Sequence, residues 1–170
     1  MNNIQLLTGI YRLGSGCGLW SKEEIIKLCD MVIEANENIP YEIIEVSLMS
    51  KSKIDDIEGK LFELSHVIDE EYAVRSVLSV CNEKIKLDQI KIEDSIKCTT
   101  RLLVHTGLSL EKNYYDLYSM DDDYDLAKDG IRFNLTEVVD FYLEELDKYS
   151  KYFKEFKELY FKVIQKDWIR

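Results

Sequence analysis

The chain is poor in the residues that interrupt helices. Its 170 residues include one proline and seven glycines, four of the glycines between positions 9 and 18. Strand-and-turn architectures use both residues in their turns, so this scarcity favours long helices. Hydrophobic residues make up 46% of the chain and charged residues 32%, which is typical of a globular protein. The length is that of one domain able to bury a core.

Membrane and secretion signals are also missing. Nowhere do 18 apolar residues follow one another, so the sequence predicts no membrane span and no membrane partner. The first residues, MNNIQLLTGIYRLG, have neither the basic head nor the apolar block of a signal peptide. We therefore expect a cytoplasmic protein. In that setting, the sequon at Asn134 is better interpreted as a helix start than as a glycosylation site.

Few residues have the chemistry of a metal, nucleotide or nucleophile site. Histidine occurs twice, and the four cysteines form no C-x-x-C pair: they are Cys17, Cys29, Cys81 and Cys98. The glycine-rich segment 14–18 lacks the lysine of a phosphate-binding loop, so we expect a flexible connection there, with Cys17 as a candidate exposed thiol. No neighbouring histidine would activate that thiol. We predict no cofactor, no metal site and no catalytic residue.

Apolar residues at spacings of three and four predict an all-α fold. Ser21 and Glu24 form a capping box at the start of one helix, and Ser52 resembles the cap of another. Gly107 is a natural helix end. Apolar residues alternate at 85–92, which would suit a short strand, but we prefer a loop that leads into a helix. The sequence predicts a single-domain helical bundle of about seven helices, residues 1–170, packed around a long C-terminal helix.

The C-terminal helix has the most regular pattern. Its apolar residues are spaced three and four apart in strict alternation: Val139, Tyr142, Leu146, Tyr149, Phe153, Phe156, Tyr160 and Val163. Such a seam indicates one buried helical face. Its aromatic residues suit packing within the bundle better than a two-stranded zipper, and a kink is expected near Ser150. The interleaved lysines Lys148, Lys151 and Lys154 lie off the seam, so we expect them in water rather than on nucleic acid.

Charge is unevenly distributed along the chain. The 22 basic and 33 acidic residues give a net charge of −11. Residues 111–147 hold 3 basic and 12 acidic groups, whereas residues 148–170 hold 7 and 3. An acidic surface repels nucleic acid and attracts a basic protein partner. The same charge would also keep the protein soluble without any binding role.

The segment YSMDDDYDLAKDG, residues 118–130, has five aspartates within nine residues. A calcium loop begins in this way, and its first, third and fifth ligands would be Asp121, Asp123 and Asp125. Such a loop needs glycine at its sixth position and a bidentate glutamate at its twelfth. The chain has Leu126 and Arg132 there. A calcium site is therefore not expected.

The same segment fits a short capped helix. Ser119 and Asp122 form a capping signature, and Gly130 is suited to end a helix at Asp129. The aspartates would then occupy the first turn, where the helix dipole favours negative charge. Three consecutive aspartates still repel one another, and a basic partner would offset that cost. The candidate partner-binding residues are Asp121, Asp122, Asp123 and Asp125.

Three segments of the chain resemble a group of uncharacterised bacterial helical proteins. The segments are LWSKEEIIKLCDMVI, IPYEIIEVSL and DDYDLAKDG, which together cover about a fifth of the sequence. Proteins of this kind often look like immunity partners of bacterial toxins: small, acidic, cytoplasmic proteins that neutralise a basic effector. The resemblance implies a shared helical fold more than a shared activity. It supplies no catalytic residues.

Three hypotheses about function follow. The first is a non-enzymatic, acidic binding protein, of the immunity type, that docks a basic protein partner. The second is a hydrolase that uses a cluster of carboxylates, which counting alone never excludes in so acidic a chain. The third is a structural module whose aromatic seam forms a homodimer. A pocket with converging carboxylates would favour the hydrolase, and a convex acidic face would favour the binding protein.

Overall fold

The computed structural model describes residues 2–165 of the chain. These residues form nine α-helices and no strand. The helices are α1 (Asn3–Gly16), α2 (Lys22–Ala35), α3 (Tyr41–Ser47), α4 (Ile54–Ser65), α5 (Glu70–Lys86), α6 (Ile92–His105), α7 (Tyr115–Lys128), α8 (Leu135–Asp147) and α9 (Lys151–Ile164). The all-α class is confirmed, with more helices than the predicted seven or so. Over residues 2–165 we find no helix with the length and apolar character that crossing a membrane requires.

The chain divides into two compact units. Of the described residues, the first unit holds 2–73 and 154–165, and the second holds 74–153. The division therefore falls within α5 and within α9. The expectation of a single domain stays a prediction.

The first unit is built on α1. This helix packs against α2 and α4, and α3 packs against both α2 and α4. The capping box predicted at Ser21 is present, since its side chain accepts from the Glu24 amide and the Glu24 carboxylate accepts from the Ser21 amide. The predicted cap at Ser52 is wrong. Helix α4 begins after Lys53 without a side-chain cap.

The glycine-rich segment is not the flexible connection that we predicted. Helix α1 continues through it to Gly16, and Gly18 ends the turn with a φ of 90°. The reason lies at Gly14, where a Cβ would stand 2.2 Å from two ring atoms of Trp20. Glycine there lets the indole lie directly on the helix. Cys17 is only 2% exposed, so the prediction of an exposed thiol is also wrong.

In the second unit, α7 packs against both α6 and α8. The side chain of Tyr142 on α8 is fully buried. Its hydroxyl forms hydrogen bonds of 2.8 Å with Ser95 and 2.9 Å with Thr99, both on α6. Burial raises the pKa of this phenol, which therefore stays protonated. Cys81 and Cys98 of this unit are buried, and so is Cys29 of the first unit.

The C-terminal segment is two helices rather than one long helix. Between α8 and α9, the amides of Tyr149 and Ser150 bond three residues back, to Leu146 and Asp147. The Ser150 hydroxyl also donates to the Asp147 carbonyl, which competes with continued α-helix. The break lies where a kink was expected. The aromatic seam is confirmed as an inward face, because none of its eight side chains is exposed.

Candidate functional site

The four candidate aspartates lie inside α7. This helix begins at Tyr115, four residues before the predicted start at Ser119. Ser119 does not cap a helix, because its hydroxyl donates to the carbonyl of Asp116 at 3.1 Å. The prediction of a helix from Ser119 to Asp129 is therefore wrong at its beginning. Its end is right: Gly130 has a φ of 69°, and the Ile131 amide bonds back to the Leu126 carbonyl.

Because α7 begins four residues earlier than predicted, the four candidate aspartates do not lie in its first turn. The first turn of α7 contains only Asp116 as an acidic residue. The run from Asp121 to Asp125 occupies the middle and the later half of the helix. The positive end of the helix dipole acts only over the first turn, and the last turn favours cations. Neither capping nor the dipole therefore stabilises these four aspartates.

The structure does not bring all four aspartates onto one face. Successive residues of an α-helix are rotated by about 100°, so Asp121 and Asp125 share a face, whereas Asp123 lies about 200° from Asp121. Asp122 and Asp125 are exposed, and Asp121 and Asp123 are half-buried. The four aspartates are thus spread around about half of the circumference of α7. We call these four residues the α7 acidic ridge.

One flank of the ridge lies near basic side chains of α6. Lys97 and Arg101 both favour the ionised form of Asp121. Burial and the neighbouring charge of Asp125 outweigh them, so the pKa of Asp121 is raised. Basic side chains of the second unit therefore balance part of the negative charge of Asp121. Asp121 still carries an electrostatic cost when it is ionised.

A cluster of ion pairs ties α6 to α7 beside this flank. The Glu93 carboxylate accepts from Lys97 of α6 and from Lys128 of α7, both at 2.9 Å. These two hydrogen bonds lower the pKa of Glu93 to about 2. Glu93 thus pairs with two lysines, one of which, Lys97, also acts on Asp121. Sequence reasoning missed this cluster, although Glu93 and Lys97 have the spacing of a helical ion pair.

A loop with exposed apolar side chains follows the ridge. Ile131 is 70% exposed, Phe133 48% and Leu135 39%. The amides of Ile131 and Arg132 bond to the Leu126 carbonyl at 2.9 and 3.2 Å, so the loop folds back onto the last turn of α7. Sequence reasoning missed this feature. The available signal was the two apolar residues Ile131 and Phe133 between a helix-ending glycine and the helix cap Asn134.

Phe133 in this loop has an uncommon backbone conformation. Its φ is 64°, in the left-handed region that a bulky side chain seldom adopts. The Arg132 guanidinium lies 4.4 Å from the centre of the Phe133 ring. Such a conformation costs free energy and persists only where its surroundings hold it. The loop therefore holds an aromatic ring and a cation at the surface beside an acidic helix.

The helical backbone excludes the calcium loop. Asp121, Asp123 and Asp125 belong to a continuous helix, in which alternate residues diverge instead of converging on one ion. Across residues 2–165, no group of three or more His, Cys, Asp or Glu side chains is arranged to hold a metal. His66 and His105 end α4 and α6, and both are exposed.

Comparison of the chain with protein-family models, with curated proteins and with solved structures finds no match.

Proposed function

We propose that this protein is a non-enzymatic, cytoplasmic binding protein that docks a basic protein partner through the α7 acidic ridge and the loop Ile131–Leu135. One observation carries the proposal. The aspartates lie where neither a cap nor the helix dipole stabilises them, and the pKa of Asp121 is raised by its surroundings. A carboxylate that opposes folding when ionised, as Asp121 does, is useful when a partner supplies the missing positive charge.

The two parts of this surface have complementary roles in binding. The exposed carboxylates of Asp122 and Asp125 speed the encounter with a basic surface and select against acidic partners. The exposed side chains of Ile131 and Phe133 supply the apolar contacts that long-lived complexes require. The loop follows the ridge in the sequence, and hydrogen bonds to the Leu126 carbonyl hold it against the last turn of α7.

The immunity type of binding protein is the narrower form of this proposal. It is supported by the three segments that resemble bacterial immunity-type proteins and by the net charge of −11. An inhibitor of this kind would cover the basic active surface of its effector. It needs no catalytic residue of its own.

The two alternatives have less support. A hydrolase needs its perturbed carboxylate in a pocket. Of two clefts in the second unit, one is lined by residues between Ile85 and Asp94, and the other lies around Arg75 and Tyr152. Asp121 lines neither of them. A homodimer through the aromatic seam would need those side chains at the surface. Tyr142, Leu146, Tyr149, Phe156 and Val163 are buried within the chain. The homodimer stays a prediction, and it would require another surface.

Capture from a lysate of the source cell tests the proposal. The immobilised protein is compared with a variant in which all four ridge aspartates become asparagine. The control replaces four exposed acidic residues of the first unit by their amides: Glu34, Glu37, Asp55 and Asp56. Both variants have a net charge of −7, because each loses four of the eleven net negative charges.

The proposal predicts a basic protein that is retained by the wild type and by the control, released by moderate salt, and lost from the ridge variant. Salt sensitivity follows because exposed charges are screened over about 10 Å at 0.1 M ionic strength. Equal retention by the ridge variant would refute the assignment of the surface. Loss from both variants would show that net charge, rather than this ridge, attracts the protein.

A further inference from the structure

A cleft in the second unit is lined by more basic than acidic side chains, whereas the chain as a whole has more acidic than basic residues. Its volume is about 330 Å³, within the range of small-molecule sites. Four basic side chains line it, together with three tyrosines and two carboxylates. The basic residues are Arg75, Lys112, Lys148 and Lys151. Its lining is therefore net +2, in a protein whose net charge is −11.

Arg75 is oriented by two tyrosines of the cleft. Its Nε donates to the Tyr114 hydroxyl at 3.1 Å, and its Nη1 donates to the Tyr152 hydroxyl at 3.2 Å. The guanidinium also lies 5.8 Å from the centre of the Tyr152 ring. These contacts fix the orientation of the guanidinium beside the cleft. Arginine is the side chain best suited to recognise phosphate, because its planar fork matches two oxygens.

The tyrosine wall of the cleft is preorganised. Tyr114 and Tyr149 are buried, and their rings stack with centroids 5.9 Å apart and an interplanar angle of 12°. The Tyr149 hydroxyl donates to the Asn113 carbonyl at 3.0 Å. Burial raises the pKa of Tyr149, so the phenol remains neutral over the physiological range. A rigid neutral wall costs little entropy when a ligand binds.

Two lysines of the cleft have no carboxylate partner. Within residues 2–165, Lys112 makes no ion pair, and the contact of Lys151 is with the Tyr152 ring, 4.9 Å from its centre. Lys148, by contrast, pairs with Glu145. Acidic residues outnumber basic ones by 33 to 22, so carboxylates are abundant. Two ammonium groups without a carboxylate partner thus lie beside an oriented guanidinium.

We propose that this cleft binds the phosphate group of a small phosphate monoester. The guanidinium and two ammonium groups match the dianion, and the half-buried Tyr152 ring offers a surface for the organic part of the ligand. The volume suits a small molecule rather than a long polymer. This inference is independent of the proposed docking function, because none of the ridge or loop residues lines the cleft.

Calorimetric titration with phenyl phosphate, inorganic phosphate and benzoate tests the inference. Phenyl phosphate is expected to bind most tightly, because it alone combines the dianion with a ring. Lys112→Gln together with Lys151→Gln should weaken its binding about tenfold or more, since hydrogen bonds to charged groups contribute on that scale. The matched control is Lys51→Gln with Lys154→Gln, two exposed lysines outside the cleft. It should bind like the wild type.

The pH dependence provides a second measurement. The second ionisation of a phosphate monoester has a pKa of about 6, so the affinity should rise from about pH 5 to pH 7 as the dianion forms. Equal weakening in the two double variants would show non-specific attraction and overturn the proposal. So would the absence of binding, or equal affinity for benzoate. If inorganic phosphate bound as tightly as phenyl phosphate, the monoester identity would be refuted.

Discussion

Gly14 allows the Trp20 ring to pack directly on α1. Trp20 stacks on Tyr11 with ring centroids 4.1 Å apart, and it lies 6.1 Å from Phe156. The indole is buried between these rings, which restricts its movement away from a Cβ at position 14. We expect Gly14→Ala to lower the free energy of unfolding by about 1–3 kcal/mol, as overpacked cores do. Chemical denaturation followed by circular dichroism measures the loss.

Gly59 provides the matched control for this substitution. It lies inside α4, and a Cβ there would meet no atom within 4 Å. Gly59→Ala should therefore raise the free energy of unfolding by about 0.5–1 kcal/mol, through the better helix propensity of alanine. If both substitutions changed stability by the same amount and sign, the close contact at Trp20 would not be the cause.

Tyr142 is a second residue whose role is local and measurable. Tyr142→Phe removes a buried hydroxyl and leaves Ser95 and Thr99 without the partner that they share. We expect a loss of about 1–3 kcal/mol in the free energy of unfolding, because unsatisfied buried polar groups are costly. Adding Ser95→Ala and Thr99→Ala should restore part of that loss.

The recovery in the triple variant separates this explanation from a packing defect. The contrary result is a triple variant with a lower free energy of unfolding than Tyr142→Phe, by as much as Ser95→Ala and Thr99→Ala each cost in the wild type, added together. The shared hydrogen bonds would then not account for the effect. Tyr41→Phe serves as a control. Its side chain is exposed, so stability should stay unchanged.

At the scale of elements, α6 and α7 carry two carboxylates with opposite effects on folding. The pKa of Glu93 is lowered to about 2 by the hydrogen bonds of Lys97 and Lys128. A lowered pKa in the folded state stabilises the protein above the ordinary pKa of 4.5, and this stabilisation disappears as the pH falls towards 2. Glu93→Gln should therefore lower the unfolding midpoint at pH 7, and the difference from wild type should vanish near pH 2. A difference that did not depend on pH would contradict the ion-pair account.

Asp121 should behave in the opposite way. Its pKa is raised by burial and by the charge of Asp125, so the ionised form opposes folding. Asp121→Asn is expected to raise the unfolding midpoint slightly at pH 7. The gain should shrink as the pH falls through the range where the wild-type carboxyl becomes protonated. A lower midpoint for Asp121→Asn would mean that its pairing with Lys97 and Arg101 outweighs burial.

The elements also show what the sequence can and cannot predict. The capping box at Ser21, the cap at Asn134 and the helix end at Gly130 depend on neighbouring residues, and all three are confirmed. Ser119 has an equally good local pattern, but its hydroxyl bonds within a helix that has already begun. Such a side chain fits both a cap and a helix interior. Local pattern alone does not distinguish them.

The candidate site shows the same limit. Sequence identified the aspartates themselves, since composition is visible without a structure. It could not place Asp121 beside Lys97 and Arg101, because that proximity depends on how α6 and α7 pack. The exposure of Phe133 and its left-handed backbone were equally inaccessible.

At the scale of the whole molecule, charge is the property that links the sequence to a function. The segment 111–147 holds 12 acidic residues, and the α7 acidic ridge is its densest part. The cleft at Arg75 concentrates positive charge in the same unit. One molecule thus has two regions of opposite sign, for which we propose two different ligands.

The affinity between this protein and its captured partner, measured as a function of salt, tests the central claim most directly. Titration calorimetry would compare the wild type with the Asp→Asn ridge variant and with the first-unit control. We predict that the ridge variant binds at least about tenfold more weakly, and that its affinity depends less on salt, because it has lost the charges that steer the encounter. The same affinity and the same salt dependence in all three proteins would contradict the claim that the α7 acidic ridge docks a partner.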